Sequence, residues 1–355
     1  MISQALNATM RDHALQEKRN QQVLADVVRF YIETGEPVSS RCISRRHAEK
    51  LSSATIRNVM ADLEDAGYLY QPHTSAGRVP TAAAYRFFAQ QVAAQARLSP
   101  EDEAWIRSEL ASAKTPEEIT ERAGHVLAAV SRGLGLIVSP PIGKVVLEHI
   151  RFLLLPDGRV LVVLVIVGGS TRDKLLRLER PLTQPELDRT SDFLNRTYIN
   201  WTLEAARADL LSRIASERER YDRLASNALA LCDPGLLADS GRELYVEGAA
   251  QIASAPELAG RQQLLELLAA IEEKHKLVAL LTGFIQSPEP VHVEIGIKEM
   301  PTAGEYLALI SAPYSGRDQV QGTLGVLGPM RMQYERAITA VAYVARVFSD
   351  TLNRS

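Results

Sequence analysis

The feature that most constrains this chain is a series of short helical signals between residues 24 and 81, which ends in a polar loop. A first helix is indicated by apolar residues spaced i, i+3, i+4 and i+7, namely Leu24, Val27, Val28 and Tyr31. Gly35 and Pro37 end this helix, and Ser39 and Ser40 can cap a short second helix that runs to about His47. These signals predict two helices joined by a tight turn.

The third helix carries the clearest functional signal. Ser52 can cap it, Gly67 can end it, and one face is apolar, with Ile56, Val59, Met60 and Leu63. The opposite face is small and polar, with Ala54, Thr55, Arg57 and Asn58. Arginine and asparagine make bidentate contacts with guanine and adenine edges. The order of these helices and the turn between them predicts a helix-turn-helix whose outer face contacts DNA. The alternative is a surface helix whose Arg57 is merely solvated.

The polar loop QPHTSAGRVPT, residues 71–81, follows this helix. Residues 68–71 and 78–80 flank it like two strands of a hairpin, which predicts a winged helix-turn-helix. Thr81 can cap a fourth helix, with Tyr85, Phe88 and Val92 along one side. Arg78 is the expected DNA contact, and Gly77 is expected to allow the turn. The other candidate contacts in the loop are His73, Thr74 and Ser75.

The charge distribution favours a nucleic-acid partner for the N-terminal region only. The whole chain has a net charge of -3, yet residues 11–97 carry 12 basic and 9 acidic residues. Residues 39–60 hold five basic residues and one acid, and a local basic patch matters more for phosphate binding than total charge. This patch completes the candidate DNA contacts with Ser40, Arg41, Arg45 and Ser53.

The rest of the chain predicts one α/β domain that is interrupted by a helical segment. Residues 98–114 are acidic and small, as in a linker or a connecting helix. Two apolar runs are joined by Pro156-Asp157-Gly158, a hairpin signal, and residues 185–254 become helical. Strands are expected again in KLVALLTGF from Lys276, VHVEIGI, EYLALISAPY and GTLGVLGP, before a last helix from Gln333 to about Leu352.

The helical segment offers a candidate dimer interface with heptad spacing. One apolar seam consists of leucines that are separated by seven residues or a multiple of seven, namely Leu203, Leu210, Leu224 and Leu231. A second seam consists of Ile214, Tyr221 and Ala228. The predicted interface is formed by Leu203, Leu210, Ile214, Tyr221 and Leu224. An amphipathic helix packed within its own subunit is the alternative.

The sequence offers little support for catalysis, cofactors or a membrane. Its seven histidines are scattered, and Cys42 and Cys232 have no metal-binding or disulfide spacing. The N-terminus lacks the apolar segment of a signal peptide, and the longest apolar run, residues 160–167, is too short to span a bilayer. We therefore expect a cytoplasmic protein that is not an enzyme, binds no metal or cofactor and does not enter a membrane.

Residues 36–88 closely resemble the N-terminal region of the heat-inducible transcription repressor family HrcA. The matching core is PVSSR, LSSATIRNVMADLEDAGYLYQPHTSAGRVPT and YRFF, and the sequence departs from the family pattern at His47-Ala48-Glu49. The resemblance implies an α+β multidomain fold, with an N-terminal winged helix-turn-helix and a GAF-like α/β domain that contains a helical dimerisation insertion. The expected domains are 1–97 for DNA binding, 98–114 as linker, 115–184 with 255–355 as the GAF-like domain, and 185–254 as the inserted dimerising domain.

The family resemblance also implies a function and partners. It predicts a repressor of heat-shock chaperone genes that binds an inverted-repeat operator called CIRCE. The GroEL chaperonin would support its active state, which heat shock removes. An inverted repeat requires a two-fold homodimer, because each half-site takes one recognition helix. Two alternatives stay open: a GAF-type transcription factor that senses a small molecule, and a chaperonin client without a DNA role.

Overall fold

The fold is mixed α/β, and we describe it from a computed structural model. The described residues are 18–47, 51–74, 76–93, 96–167, 171–178, 180–216, 222–232, 242–249, 252, 271, 274–285, 289–298, 300, 303–316 and 321–354. Within these ranges the chain forms eleven α-helices and ten strands in three antiparallel sheets. No helix in this part of the chain is both long and apolar enough to cross a bilayer.

The N-terminal part forms the predicted series of helices and a hairpin. Its elements are α1 (Lys18–Thr34), α2 (Ser40–Arg46), α3 (Ser53–Asp65), β1 (Leu69–Tyr70), β2 (Val79–Pro80) and α4 (Ala82–Ala93). The predicted caps are confirmed, because the side chains of Ser39 and Ser52 accept hydrogen bonds from backbone N–H groups of the first turns of α2 and α3. Gly35 and Gly67 follow α1 and α3 with positive φ angles of 74° and 78°.

Thr81 precedes α4 as expected, but its hydroxyl is used differently from a helix cap. It donates to the backbone carbonyls of Gly67 (2.9 Å) and Tyr68 (3.1 Å). The side chain therefore ties the end of the hairpin to the end of α3. The predicted apolar side of α4 is confirmed, since Tyr85, Phe88 and Val92 are all buried.

Residues 98–114 form a packed helix that connects the two halves of the protein. Helices α5 (Pro100–Ala111) and α6 (Pro116–Ser131) lie against the last helix, α11 (Tyr334–Arg354). Ile106 and Leu110 of α5 are fully buried. On the outer side Arg336 pairs with Asp102 at 2.7 Å, and this hydrogen-bonded guanidinium holds the pKa of the Asp102 carboxyl below its ordinary value. The observed helix agrees with the connecting-helix interpretation.

A five-stranded antiparallel sheet lies next to α6, α11 and α10 (Lys274–Gly283). Its strands run in the order β7-β3-β10-β9-β8, with β3 (Leu134–Val138), β7 (Leu244–Glu247), β8 (His292–Ile295), β9 (Leu307–Ser315) and β10 (Gln321–Pro329). Glycines let elements approach closely here: a Cβ on Gly135 of β3 would overlap the backbone carbonyl of Gly124 in α6. Alanine at this position would force the strand and the helix apart.

Two secondary-structure expectations in this region were wrong. The run KLVALLTGF forms helix α10 instead of a strand, because Leu277, Leu280 and Leu281 are spaced i, i+3 and i+4 and face the five-stranded sheet. Residues 244–247, expected within a helical segment, form the edge strand β7 and pair with β3. A short apolar run suits either a buried strand or a buried helix, so its tertiary neighbours decide between them.

The third sheet has its own hydrophobic core. It contains β4 (Leu147–Leu154), β5 (Val160–Ile166) and β6 (Thr171–Leu176), and it packs with α7 (Gln184–Thr197), α8 (Leu203–Ser216) and α9 (Asp222–Cys232). The predicted hairpin at residues 156–158 is confirmed, with Gly158 at a φ of 80°. The shared core spans residues 145–231. The expected boundary between residues 184 and 185 therefore cuts through one packed unit, and strand β7 belongs to the five-stranded sheet.

Candidate nucleic-acid interface

Helix α3 separates an apolar face from a polar one as the sequence predicts. Ile56 and Leu63 are fully buried, and Val59 and Met60 are nearly so. The opposite face exposes Ala54, Arg57 and Asn58, with Thr55 partly exposed. The small Ala54 leaves room for close approach, while Arg57 and Asn58 supply hydrogen-bonding groups suited to base edges. The face is therefore built for contact with a polar partner.

Two polar contacts join helix α2 to the segment where α3 begins. The hydroxyls of Ser40 and Ser53 lie 3.0 Å apart, and the Ser44 hydroxyl donates to the carbonyl of Leu51 at 2.7 Å. These bonds join α2 to the beginning of α3 and to the residue that precedes its cap. Ser40 and Ser53, two candidate contacts from the sequence, therefore also hold the unit together.

The arginines of α2 divide into two groups. Arg46 pairs with Glu33 of α1 at 2.6 Å and lies over the ring of Phe30, so it belongs to the packing of α1 on α2. Arg41 and Arg45 are exposed, and neither forms an ion pair with a described residue. Arg41 and Arg45 are therefore the arginines of α2 that are placed to contact the phosphate backbone of DNA.

A side chain that sequence reasoning missed organises the loop between β1 and β2. Gln71 donates through Nε2 to the carbonyl of Thr74 (3.0 Å) and to that of Ala76 (2.8 Å). His73 and Thr74 are exposed, and Ser75 lies outside the described residues. Because glutamine carries both amide donors on one atom, it can hold two loop carbonyls at once. No local pattern in the sequence marks Gln71 for this role.

Gly77 serves close packing at the base of the hairpin, and its expected role in the turn stays a prediction. Its φ angle is not among the positive ones, but a Cβ at this position would lie 2.5 Å from the carbonyl carbon and oxygen of Val38. The next residue, Arg78, exchanges two backbone hydrogen bonds of 2.8 Å with Val38. The hairpin therefore adds a third segment, at Val38, beside β2, and only glycine fits this approach.

Arg78 lies at the base of the hairpin and forms an ion pair within the protein. Its Nη2 is 2.7 Å from Oε2 of Glu64 in the last turn of α3, and the arginine side chain is only 20% exposed. Its Nε atom is buried and has no hydrogen-bond partner among the described residues. This pair locks the hairpin onto the helix with the exposed polar face. A contact between Arg78 and DNA stays a prediction.

The departure from the family pattern at His47 has a structural role. The residue is 4% exposed, and Nδ1 of its imidazole lies 2.6 Å from Oδ2 of Asp26 in α1. His47 also ends α2, with its backbone N–H bonded to the carbonyl of Ile43. The residue therefore pins the end of α2 to α1 through a side-chain contact.

The predicted dimer seam is wrong for the residues whose side chains are described. Leu203 is 4% exposed and Leu210 is fully buried, and both pack inside the subunit's own core with Ala228 and Leu231. Tyr221 and the side chains of Ile214 and Leu224 lie outside the described part. Heptad spacing reports an apolar helix face but does not say whether the face packs within one subunit or between two.

The helical unit exposes a polar face, the hairpin is locked beside it, and the unit packs against the C-terminal helix in one hydrophobic core. No group of three His, Cys, Asp or Glu residues in the described ranges is arranged to hold a metal ion.

Comparison with known proteins gives the family. Residues 117–338 match the model of the HrcA protein C-terminal domain. The chain is 35% identical to the heat-inducible transcription repressor HrcA of Geobacter sulfurreducens, over 94% of this chain and 98% of that protein. It is 36% identical to the HrcA of Thermodesulfovibrio yellowstonii, over 97% and 100% of the two chains. The chain belongs to the HrcA family, and both of these relatives are named as transcription repressors.

A solved structure shows the same overall fold. The crystal structure of a hypothetical protein at 2.2 Å resolution aligns over 95% of this chain and 99% of its own, with a TM-score of 0.62 and 22% identity. The likeness supports the arrangement of helices and sheets described above.

The Arg78–Glu64 pair predicts a stability effect that separates two arginines of the interface. Arg78→Ala should lower the free energy of unfolding by about 1–2 kcal/mol, because Glu64 loses its partner at a partly buried site. Arg57→Ala is the matched control and should change it by less than about 0.5 kcal/mol, since its side chain is exposed. Urea denaturation followed by circular dichroism measures both. Equal stability of the two variants would contradict the assignment of Arg78 to the hairpin lock.

Proposed function

We propose that this protein is a transcription repressor that binds operator DNA through α2, α3 and the β1–β2 hairpin, in the manner of a winged helix-turn-helix. The observation that carries the proposal is the outer face of α3, which presents Arg57 and Asn58 to solvent while the opposite face is buried. The relatives are named heat-inducible transcription repressors. We further propose a GAF-like domain around the five-stranded sheet and a dimerising unit at about residues 145–232.

The candidate contacts divide by chemistry. Arg57 and Asn58 are suited to base edges in the major groove, with Ala54 and Thr55 beside them. Arg41 and Arg45 are suited to phosphates. Ser40, Ser53, His73, Thr74 and Ser75 are further candidates for phosphate or sugar contacts. For Arg78 and Gly77 the proposal is indirect, because they hold the hairpin in position beside α3.

The operator proposal is tested by changing a base-reading side chain. Arg57→Ala should weaken binding to a CIRCE-type inverted repeat by about 1–3 kcal/mol, or roughly 5- to 150-fold, and should reduce the preference over a scrambled duplex. Fluorescence anisotropy at fixed salt measures both. Arg189→Ala, an exposed arginine of α7, is the control and should bind as wild type. Unchanged specificity in Arg57→Ala would remove α3 from the proposed reading surface.

Repression through an inverted repeat requires a dimer, and the outer face of the β4–β5–β6 sheet is the surface we propose for it. The inner face of this sheet is buried against α7 and its neighbours. The outer face carries apolar side chains that are exposed or half-buried, namely Leu153, Leu161, Val163, Val165 and Leu175. A contiguous apolar face of this kind is typical of a protein–protein contact.

The register of the strands gives this surface a self-complementary charge pattern. Val163 of β5 lies opposite Arg151 of β4 on one side and opposite Asp173 of β6 on the other. Neither charged side chain has an ion-pair partner among the described residues. A two-fold axis that runs along β5 above Val163 places Arg151 of one copy over Asp173 of the other. The same axis stacks the apolar residues of β5 on one another.

A charge swap tests this interface. Arg151→Asp and Asp173→Arg should each weaken the dimer at least about tenfold, because each places like charges face to face. The double variant Arg151→Asp with Asp173→Arg should restore dimerisation, since the pair is re-formed with reversed signs. Sedimentation velocity over a concentration series measures the three variants. Wild-type dimerisation in both single variants, or failure of the double variant to recover, places the interface elsewhere.

The heat response is the part of the proposal that rests on family resemblance alone. We propose that GroEL supports the DNA-binding state and that heat shock removes this support. Footprinting on promoters of chaperone operons should show operator protection that is lost after mild heating and regained with GroEL and ATP. Full recovery without GroEL, or no recovery with it, contradicts the chaperonin role. Loss of protection by Arg57→Ala in the same assay separates a DNA-binding defect from a folding defect.

A further inference from the structure

A cleft of about 780 Å³ separates the N-terminal helices from the C-terminal half of the protein. One wall is formed by α1, by the base of the hairpin and by the start of α4. The other wall is formed by residues 296–298, 305–306 and 330–331 and by Met300. This volume is in the range of sites that hold small organic molecules. The cleft is separate from the outer face of α3 and from the outer face of the β4–β5–β6 sheet.

Aromatic side chains line both walls of the cleft. Tyr31, Tyr70 and Tyr85 come from the N-terminal wall, and Tyr306 comes from the opposite one. Tyr70 is 49% exposed and Tyr306 is 45% exposed. In the described ranges outside residues 145–232, only these two and Tyr245 are large hydrophobic side chains with an exposed fraction of 38% or more. Two of the three therefore meet at this cleft, where their rings are available to stack on a planar group.

Among the described residues that line the cleft, the charged ones are mostly cationic. Arg86, Lys298 and Arg331 carry positive charge, and Glu305 carries the one carboxylate of this described set. Arg86 reaches across from α4 and donates through Nε to the carbonyl of Ile295 at 3.3 Å. Lys298 is exposed on the opposite wall. A guanidinium has five donors in a planar fork, which matches carboxylate and phosphate oxygens.

Among the described residues, apolar side chains fill the interior beside the five-stranded sheet. The inward side chains of β3, β9 and β10 are buried in two apolar clusters. Leu136, Ile310 and Leu324 are each 0% exposed.

We infer that the cleft binds a small planar anion, which is an aromatic or heteroaromatic ring bearing a carboxylate or a phosphate. Tyr70 and Tyr306 supply the stacking surfaces, and Arg86 and Lys298 supply the anion contacts from opposite walls. A ligand held by both walls fixes the orientation of the N-terminal helices against the C-terminal half. Any effect of the ligand on repression rests on the proposed function. Binding of the ligand to the cleft does not depend on that function.

Isothermal titration calorimetry of the full chain without DNA tests the site. The probes are benzoate and adenosine 5′-monophosphate, with benzamide and adenosine as neutral counterparts. At least one anion should bind, at least about tenfold more tightly than its neutral counterpart. Binding of benzoate assigns the carboxylate as the recognised group, and binding of the nucleotide assigns the phosphate. Absence of binding by both anions, or equal binding of the neutral counterparts, overturns the inference.

Matched variants place the bound anion in the cleft. Tyr306→Ala and Lys298→Gln should each weaken binding by at least about tenfold, because each removes one contact from the same wall. Tyr245→Ala and Lys274→Gln, which remove exposed side chains of the same kinds elsewhere, should bind as wild type. Arg57→Ala should also bind the anion normally, so a failed operator assay and a failed ligand assay remain distinguishable. Wild-type affinity in both cleft variants overturns the inference.

Discussion

The packing of α4 on α11 is the contact on which the arrangement of the N-terminal half depends. Tyr85 and Phe88 of α4 lie 6.0 and 6.3 Å from the ring of Tyr334, which is fully buried and donates its hydroxyl to the carbonyl of Met330. Burial raises the pKa of Tyr334 well above its ordinary value, so the ring stays neutral there. The three rings of Tyr85, Phe88 and Tyr334 join the helices of the proposed DNA-binding unit to the C-terminal helix in one continuous core.

Polar contacts around this core orient the N-terminal unit further. Arg29 of α1 pairs with Glu335 at 2.8 Å and lies over the ring of Phe88, and Arg331 donates to the carbonyl of Ile32 near the end of α1. Because α1 carries α2 and α3, a displacement of α11 must also move the exposed face of α3 or break these contacts. The core of residues 145–231 is separate, so the proposed dimer surface and the proposed DNA surface belong to different packed units.

Much of the fold and of the candidate site follows from short-range patterns. The apolar spacing of α3, the serine caps of α2 and α3 and the Pro-Asp-Gly hairpin were all predictable, because each depends on residues within one or two turns of each other. Helix α10 was not, since an apolar run of its length fills a buried strand or a buried helix equally well. Strand β7 was missed because its partner, β3, lies more than a hundred residues away in sequence.

The sequence by itself determined which helix face is polar, where the first helices begin and end, and that a hairpin follows α3. Those features are set by local hydrogen bonds and by the period of the helix. Only the tertiary structure decided what each side chain touches: Arg78 meets Glu64, Gly77 meets Val38, and Leu203 and Leu210 face their own subunit. Contacts between distant residues depend on how the elements pack, and neither residue type nor spacing specifies that packing.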